Sequence, residues 1–367
     1  MKFHCCLGRL WCILPICAFI AAFFTGCAIT QPNVITPPSP EPLPTATPTP
    51  THRALMEGIV PVPIASNYIT YYAIRTDGTL IGWGDNMRGV INSPDSVPGY
   101  EDAVVMMDDV AAVYTGDWVT LILRSDGTLW GVGSGQFGLL PDRAPSQDMY
   151  VPLFLMDDVV MAAVSSESAC ALRSDGTVWS WGGSEGFQPE QILEGIIKIA
   201  AYSSGHYALD IDGTLYVWGT LLPLDVDRNE CWLAPQPILE GITDMAATGR
   251  RLLVQKADSS LWRMGWWDGY QYQPLEKWMD DVSYFTIDLA VTEDHILWDL
   301  TSGTPVKRMD NVACVVNGEQ GILALDWNGT LWMLRQEESG SVTQEWLCDD
   351  IWIPESWHSQ VQPPNTN

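Results

Sequence analysis

The sequence has little positive charge and few histidines. Lysine and arginine together number 18 against 45 aspartates and glutamates, so the formal net charge is −27. A surface this acidic repels phosphate backbones and anionic lipid headgroups, and we therefore expect no nucleic-acid partner. The five histidines stand at positions 4, 52, 206, 295 and 358, and no two have the spacing of a metal-binding pair. We expect neither a metal centre nor a cofactor.

Cysteine is scarce outside the N-terminal segment, since five of the nine cysteines lie within the first 27 residues. The other four are Cys170, Cys231, Cys314 and Cys348. Four cysteines in about three hundred residues are too few for a disulfide scaffold. Cys170 and Cys314 stand in apolar, strand-like runs, which predicts buried thiols. The sequence leaves the disulfide state of all four open.

One long apolar run occurs, at the N-terminus. Lys2 and Arg9 precede the run, which extends from Leu10 to Phe24. A short run of this kind that ends in small residues predicts an export signal at 1–26. Thr25, Gly26 and Cys27 resemble a bacterial lipobox, although Phe24 replaces its usual aliphatic residue. The resemblance implies that Cys27 carries a diacyl group and anchors the exported chain to the bacterial cell membrane or cell surface. An uncleaved membrane anchor is the alternative.

Residues 27–53 form a segment rich in proline and threonine, with the run PPSPEPLPTATPTPT. Dense proline favours extended polyproline II, so we interpret this segment as a stiff tether. The sequence leaves its glycosylation open. The domain that follows is assigned to 54–357, and 358–367 is assigned to a C-terminal tail.

The domain contains an internal repeat. The segments RTDGTLIGWG, RSDGTLWGVG, RSDGTVWSWG and DIDGTLYVWG begin at residues 75, 124, 173 and 210, and three weaker copies follow. Asp-Gly between apolar runs supplies the positive φ angles of a tight hairpin. A segment of the Met-Asp-Asp-Val type precedes each hairpin, and a short apolar piece, often led by proline, precedes that segment. Each unit therefore holds four strand candidates.

The repeat number predicts an all-β fold, a seven-bladed β-propeller of four-stranded antiparallel blades. Abundant tryptophan, glycine and proline agree with a turn-rich β protein. The Met-Asp-Asp-like segments number eight against seven hairpins. From this surplus we predict that a strand from one terminus completes a blade begun at the other.

The Asp-Gly-Thr-Leu-Trp-x-Trp-Gly pattern resembles the regulator-of-chromosome-condensation (RCC1) repeat, over residues 54–357. The resemblance implies a seven-bladed propeller and does not specify function, because propellers host many unrelated activities. The eukaryotic founder is a nuclear exchange factor for a small GTPase, and that activity is not carried over to an acidic, exported chain. Some bacterial propellers with similar repeats inhibit β-lactamases.

The sequence contains no convincing catalytic motif. Ser125 to Trp130 resembles the Asp-box of sialidases but lacks one residue, and the clustered arginines of those enzymes are missing. The segment from Asp225 to Asn229 begins like a calcium loop. Glu230 stands where such a loop requires glycine, and Gln236 stands where it requires a bidentate glutamate. Paired carboxylates recur in nearly every repeat, which marks them as turn residues. We expect no catalytic residues.

Aromatic residues outside the repeat pattern are the candidates for binding. They lie in the variable loops after Trp-Gly, which emerge on one rim, and they are Tyr100, Phe137, Tyr150, Trp232, Trp266, Trp267, Tyr270 and Tyr272. Eight tryptophans at repeat positions are assigned to the core: Trp83, Trp130, Trp179, Trp181, Trp218, Trp262, Trp298 and Trp332.

We interpret the chain as a monomeric, non-catalytic scaffold that binds an unknown protein or glycan at the cell surface. Two alternatives stay open. One is a carbohydrate-binding or glycan-active protein, and the other is an inhibitor of a secreted hydrolase.

Overall fold

Strands are the main secondary structure of the computed structural model, and helix is almost absent from its described residues. It describes residues 63–86, 89–91, 102–141, 150–183, 187–202, 205–219, 233–248, 251–264, 274–337, 341–354 and 357. These residues belong to one unit, Pro48–Asn367. The segments assigned to the signal peptide, the tether and the tail lie outside them. Within the described ranges, no helix is long and apolar enough to span a membrane.

Twenty-eight strands within the described residues form seven sheets, each a four-stranded antiparallel meander, which we number as blades 1 to 7. Blade 1 contains β1 (Ile64–Ser66), β2 (Thr70–Ile74), β3 (Leu80–Gly84) and β4 (Val104–Met107). Blade 2 contains β5 (Val110–Thr115), β6 (Val119–Arg124), β7 (Leu129–Gly133) and β8 (Leu153–Met156). Blade 3 contains β9 (Val159–Val164), β10 (Ser168–Arg173), β11 (Val178–Gly182) and β12 (Glu190–Leu193). Blade 4 contains β13 (Ile196–Tyr202), β14 (Gly205–Asp210), β15 (Leu215–Gly219) and β16 (Leu233–Leu239). Blade 5 contains β17 (Asp244–Thr248), β18 (Arg251–Gln255), β19 (Leu261–Met264) and β20 (Leu275–Met279). Blade 6 contains β21 (Val282–Phe285), β22 (Leu289–Thr292), β23 (Leu297–Asp299) and β24 (Val306–Met309). Blade 7 contains β25 (Val312–Gly318), β26 (Gly321–Asp326), β27 (Leu331–Gln336) and β28 (Val342–Cys348).

The seven-bladed propeller predicted from the repeat is confirmed. First strands of successive blades contact one another, for example β5 with β9 and β13 with β17, and β1 meets β25. The first strand of each blade is therefore innermost and the fourth is outermost. Seven clusters of buried apolar side chains fill the spaces between neighbouring blades, one cluster for each pair. Each sheet thus buries its two faces against two neighbours.

The prediction that the two termini share a blade is wrong, because all seven blades consist of four consecutive strands. The eighth Met-Asp-Asp-like segment has another role. Its Asp350 carbonyl accepts the Thr76 N–H of blade 1 at 3.0 Å. The Asp109 carbonyl accepts the Ser125 N–H in the same way at 2.8 Å, which links blades 1 and 2. The eighth segment is the linker that joins blade 7 to blade 1.

The second residue of these interblade turns explains their sequence. Its φ angle lies between 55° and 75° in every blade, at Asp109, Asp158, Gly195, Gly241, Asp281, Asn311 and Asp350. Aspartate, asparagine and glycine are the residues that tolerate this left-handed region best. Met-Asp-Asp, Met-Asp-Asn and Leu-Glu-Gly are therefore three sequences for one turn.

The Asp-Gly-Thr segment forms the turn between the second and third strands. In blade 2 the Asp126 carboxylate accepts the N–H of Thr128 at 3.0 Å and its hydroxyl at 2.6 Å. The indole N–H of Trp130 donates to the Thr128 hydroxyl oxygen at 3.0 Å. Blades 3 and 5 repeat these bonds, blade 5 with serine in place of threonine. The repeated aspartate thus stabilises a hairpin.

The repeat tryptophans divide into two groups, so their assignment to the core is only partly right. Trp83, Trp181 and Trp218 are 2%, 4% and 0% exposed. The other five are half-buried: Trp130, Trp179, Trp262, Trp298 and Trp332. The half-buried indoles donate hydrogen bonds at the hairpin turns, which holds them at the edge of the core.

The buried thiols predicted at Cys170 and Cys314 are confirmed, since both are 0% exposed. Burial raises the pKa of both thiols well above their usual range. His206 is also fully buried and stacks on Trp218 with ring centroids 5.1 Å apart. Burial lowers its pKa to about 3, and neither ring nitrogen has a hydrogen-bond partner among the described residues.

Candidate binding surface

The meander topology gives the ring two different faces. The turn face carries the hairpins between second and third strands together with the interblade turns. The loop face carries the first turns, between first and second strands, and the longer loops between third and fourth strands. Phe137 and Tyr150, the described residues of the variable loops singled out in the sequence, belong to the loop face.

Several carboxylates on the turn face stabilise its turns. Asp109 pairs with Arg124 at 3.0 Å, and Asp157 pairs with Arg173 at 3.1 Å. Hydrogen bonds from Thr128 hold the pKa of the Asp126 carboxyl below its usual value. No group of three or more potential metal ligands occurs within the described ranges. The segment Ser125–Trp130, which partly resembles an Asp-box, forms this hairpin turn.

Phe137 and Tyr150 are the two predicted binding residues within the described part of the chain. Phe137 lies in a short 3-10 segment, Gln136–Gly138, with φ 58° and 38% exposure. Its ring meets that of Trp118 edge to face, with centroids 6.3 Å apart. Tyr150 is half-buried at the end of the same loop, before β8. Bulky residues seldom adopt a positive φ, so Phe137 occupies an unusual backbone conformation.

The other predicted aromatic residues lie outside the described residues. They are Tyr100, Trp232, Trp266, Trp267, Tyr270 and Tyr272. Cys27 and the segment from Asp225 to Asn229 also lie outside them.

Tyr68, in the first turn of blade 1, was missed by the sequence reasoning. Its φ is 83° and it is 61% exposed. Its carbonyl oxygen accepts the Glu319 N–H, and its backbone bridges to Gly318, both in blade 7. Asp117 of blade 2 also lies in a first turn. An aromatic residue outside the repeat pattern, in a short turn between two strands, is the signal that could have identified Tyr68.

Neighbouring first turns form one continuous surface. The Asn67 amide donates to the Gly116 carbonyl at 3.5 Å, which joins blades 1 and 2. The Ser166 hydroxyl donates to the Asp117 carboxylate at 2.7 Å, which joins blades 2 and 3. We call this surface the acidic aromatic patch and define it by Tyr68, Asp117, Trp118, Phe137, Glu167 and Glu319.

The patch is strongly acidic. Asp117, Glu167 and Glu319 are exposed. The described first turns, 67–69, 116–118, 165–167, 286–288 and 319–320, contain no lysine or arginine. Arg251, at the start of β18, pairs with Asp288 of the blade 6 turn. Exposed carboxylates beside exposed aromatic rings suit a basic ligand with an apolar or aromatic contact.

Comparison with known proteins supports the fold. No family model and no curated protein matches the sequence. Yeast RCC1 (Prp20), solved with Kap60, superimposes with a TM-score of 0.50 at 16% identity, over 74% of this chain and 69% of that chain. Prp20p from Saccharomyces cerevisiae superimposes with a TM-score of 0.51 at 16% identity, over 78% of this chain and 76% of that chain. At this identity the likeness concerns the fold alone. The chain folds as a seven-bladed propeller that is similar to those of yeast RCC1, as its repeat implied.

Proposed function

We propose that the protein is a non-catalytic scaffold that binds a basic segment of a protein partner through the acidic aromatic patch. The observation that carries the proposal is the exposure of Tyr68 and Phe137, both with positive φ, on a surface whose described first turns hold carboxylates and no lysine or arginine. Unusual backbone conformations cost about 1–3 kcal/mol each and concentrate at functional sites. Aromatic side chains dominate binding energy at protein interfaces.

The fold is consistent with this role. Yeast RCC1, which shares it, is bound to Kap60 in one structure, and its binding properties to Gsp1p and histones have been described. For this chain, the partner follows from the chemistry of the patch. A net charge of −27 would accelerate association with a basic partner and make binding weaken as salt increases.

Binding to a panel of purified envelope proteins tests the proposal. The full-length chain is immobilised in detergent, and its Kd values are compared with those of a Tyr68→Ala/Phe137→Ala variant. We expect Kd to rise at least tenfold, because an interface anchor contributes about 2 kcal/mol or more. Trp346→Ala is the matched control, since Trp346 is 57% exposed on the outer strand of blade 7. Equal effects of the two changes would contradict the proposal.

The predicted aromatic residues outside the described ranges need a separate variant. A Trp266→Ala/Trp267→Ala variant in the same assay measures their contribution. Unchanged binding would remove that loop from the interface. A glycan array tests carbohydrate binding, and titration against secreted hydrolases tests inhibition. If the chain binds a glycan or a hydrolase and the Tyr68→Ala/Phe137→Ala variant does not, that ligand replaces the basic protein segment in the proposal.

We further propose that the propeller is held at a bacterial cell surface by a diacyl group on Cys27. The lipobox-like segment and the proline-rich tether support this proposal. Growth with an alkyne-tagged fatty acid should label the wild-type chain and leave Cys27→Ser unlabelled. Equal labelling of both chains would contradict the anchor.

A further inference from the structure

The outer strands of the seven blades differ in how they protect their exposed edges. Exposed strand edges tend to pair with other chains, and proteins block this with charge or proline. Five outer strands carry such residues: Glu190 in β12, Pro235 and Pro237 in β16, Glu276 and Lys277 in β20, Lys307 and Arg308 in β24, and Glu345 in β28. The outer strands β4, with sequence VVMM, and β8, with sequence LFLM, carry neither.

The difference between blade 1 and blades 5 and 6 is sharpest at one register of the outer strand. The outer-strand residue at this register in blade 1 is Val105, which pairs with Ile81. Blades 5 and 6 have Lys277 and Lys307 at the same register. Val105 is 54% exposed, so an apolar side chain faces solvent where blades 5 and 6 present a lysine. Blades 2 and 7 have Phe154 and Trp346 at this register.

Carboxylates flank β4 at both ends. Asp102 precedes the strand and Asp108 follows it, and both are exposed. Within the described residues, neither forms an ion pair. The edge is therefore a short uncharged strand between two negative charges, seven residues from one carboxylate to the other. Strand β8 lacks this arrangement, because Asp157 at its end pairs with Arg173.

Charge decides which occupant this edge accepts. Antiparallel pairing with the β4 edge of a second copy would place Asp108 of one chain near Asp102 of the other. Like charges at that distance repel, and each chain carries a net charge of −27. The complementary occupant is an extended segment with apolar residues at its centre and lysine or arginine at both ends.

We propose that the outer edge of β4 binds such a segment of a partner protein as a fifth strand of blade 1. Backbone hydrogen bonds along β4 would supply affinity, contact with Val105 would select an apolar centre, and Asp102 and Asp108 would select basic ends. This site lies on the outer rim of the ring. It is independent of the acidic aromatic patch and does not rest on the proposed function.

A fluorescein-labelled heptapeptide, Lys-Val-Thr-Val-Thr-Val-Lys, tests this site by fluorescence anisotropy with the full-length chain. A peptide with glutamate at both ends should bind at least tenfold more weakly at low salt. Val105→Lys should weaken binding of the lysine-ended peptide at least tenfold. This change gives blade 1 the residue that blades 5 and 6 already hold, so the fold should tolerate it, and thermal unfolding checks that.

The matched control is Gln191→Lys, which adds the same charge at the same register of blade 3. We expect it to change the peptide Kd by less than twofold. Equal weakening by both variants would overturn the proposal, as would no binding at millimolar peptide. Sedimentation velocity tests whether a second copy of the chain occupies the β4 edge instead. A dimer that Val105→Lys abolishes would identify the second copy as the occupant and overturn the proposal of a basic segment.

Discussion

Two adjacent glycines in blade 3 allow a sharp test of the Trp-Gly step that ends the third strand. Gly182 has φ 110°, and a Cβ placed on it would lie 2.6 Å from the Glu167 carbonyl oxygen and 2.8 Å from the Ser168 Cα. The carbonyl of Glu167 also accepts the N–H of Gly183 at 2.8 Å. The glycine lets the third strand pass close beside the first turn, where the acidic aromatic patch begins.

The cost of Gly182→Ala follows from these distances. A left-handed backbone costs a non-glycine residue about 1–2 kcal/mol. Atoms placed in contact with rigid backbone add about 1–3 kcal/mol. We therefore expect Gly182→Ala to lower the free energy of unfolding by about 3 kcal/mol.

Gly183→Ala is the matched control. Gly183 also has a positive φ, 73°, but a Cβ there would have nothing within 4 Å. Its expected cost is the conformational one alone, about 1 kcal/mol. Urea denaturation followed by tryptophan fluorescence measures both variants. Equal losses of stability, or a larger loss for Gly183→Ala, would refute the role assigned to the Trp-Gly glycine.

Three other changes test the architecture. Burial lowers the pKa of His206 to about 3, so between pH 6.5 and about 3 the unfolded chain binds a proton at this histidine and the folded chain does not. His206 should therefore lower the free energy of unfolding by about 1.4 kcal/mol for each pH unit below 6.5. His206→Leu should reduce this slope between pH 6.5 and 5, as measured by urea titrations. Thr177→Val removes the hydroxyl that joins Asp175 to Trp179 and should cost about 1–2 kcal/mol, whereas Thr177→Ser should cost under about 0.5; equal costs would contradict the bonded turn. Gly195→Asp introduces the residue found in equivalent turns and should change the unfolding free energy by about 0.5 kcal/mol or less, and a loss above about 2 would show that this turn differs.

The fold was predictable because its signals are local and recur. Asp-Gly between apolar strands specifies a hairpin whatever surrounds it, and seven copies specify seven blades. Closure of the ring was not predictable by counting segments. The Met-Asp-Asp type of segment forms a turn between blades, and the eighth copy pairs Asp350 with Thr76 across a separation that the local pattern does not encode.

The binding surface was harder to predict. Phe137 broke the repeat pattern and was found in the sequence, whereas Tyr68 stands in a short turn close to repeat residues. Its exposure and positive φ depend on how blades 1 and 7 meet, which is a tertiary property. The half-buried tryptophans were misassigned for a related reason. An indole at the strand edge and an indole in the core have the same sequence periodicity, and only the hydrogen bonds to threonine distinguish them.

The division between an architectural face and a binding face is tested most directly by hydrogen–deuterium exchange. The measurement compares the full-length chain alone with the chain bound to an envelope protein from the binding panel. We predict slower exchange in the first turns 67–69 and 116–118, with no change in the hairpins at 125–128 and 174–177. Protection confined to those hairpins would show that the partner binds the opposite face and would contradict the account.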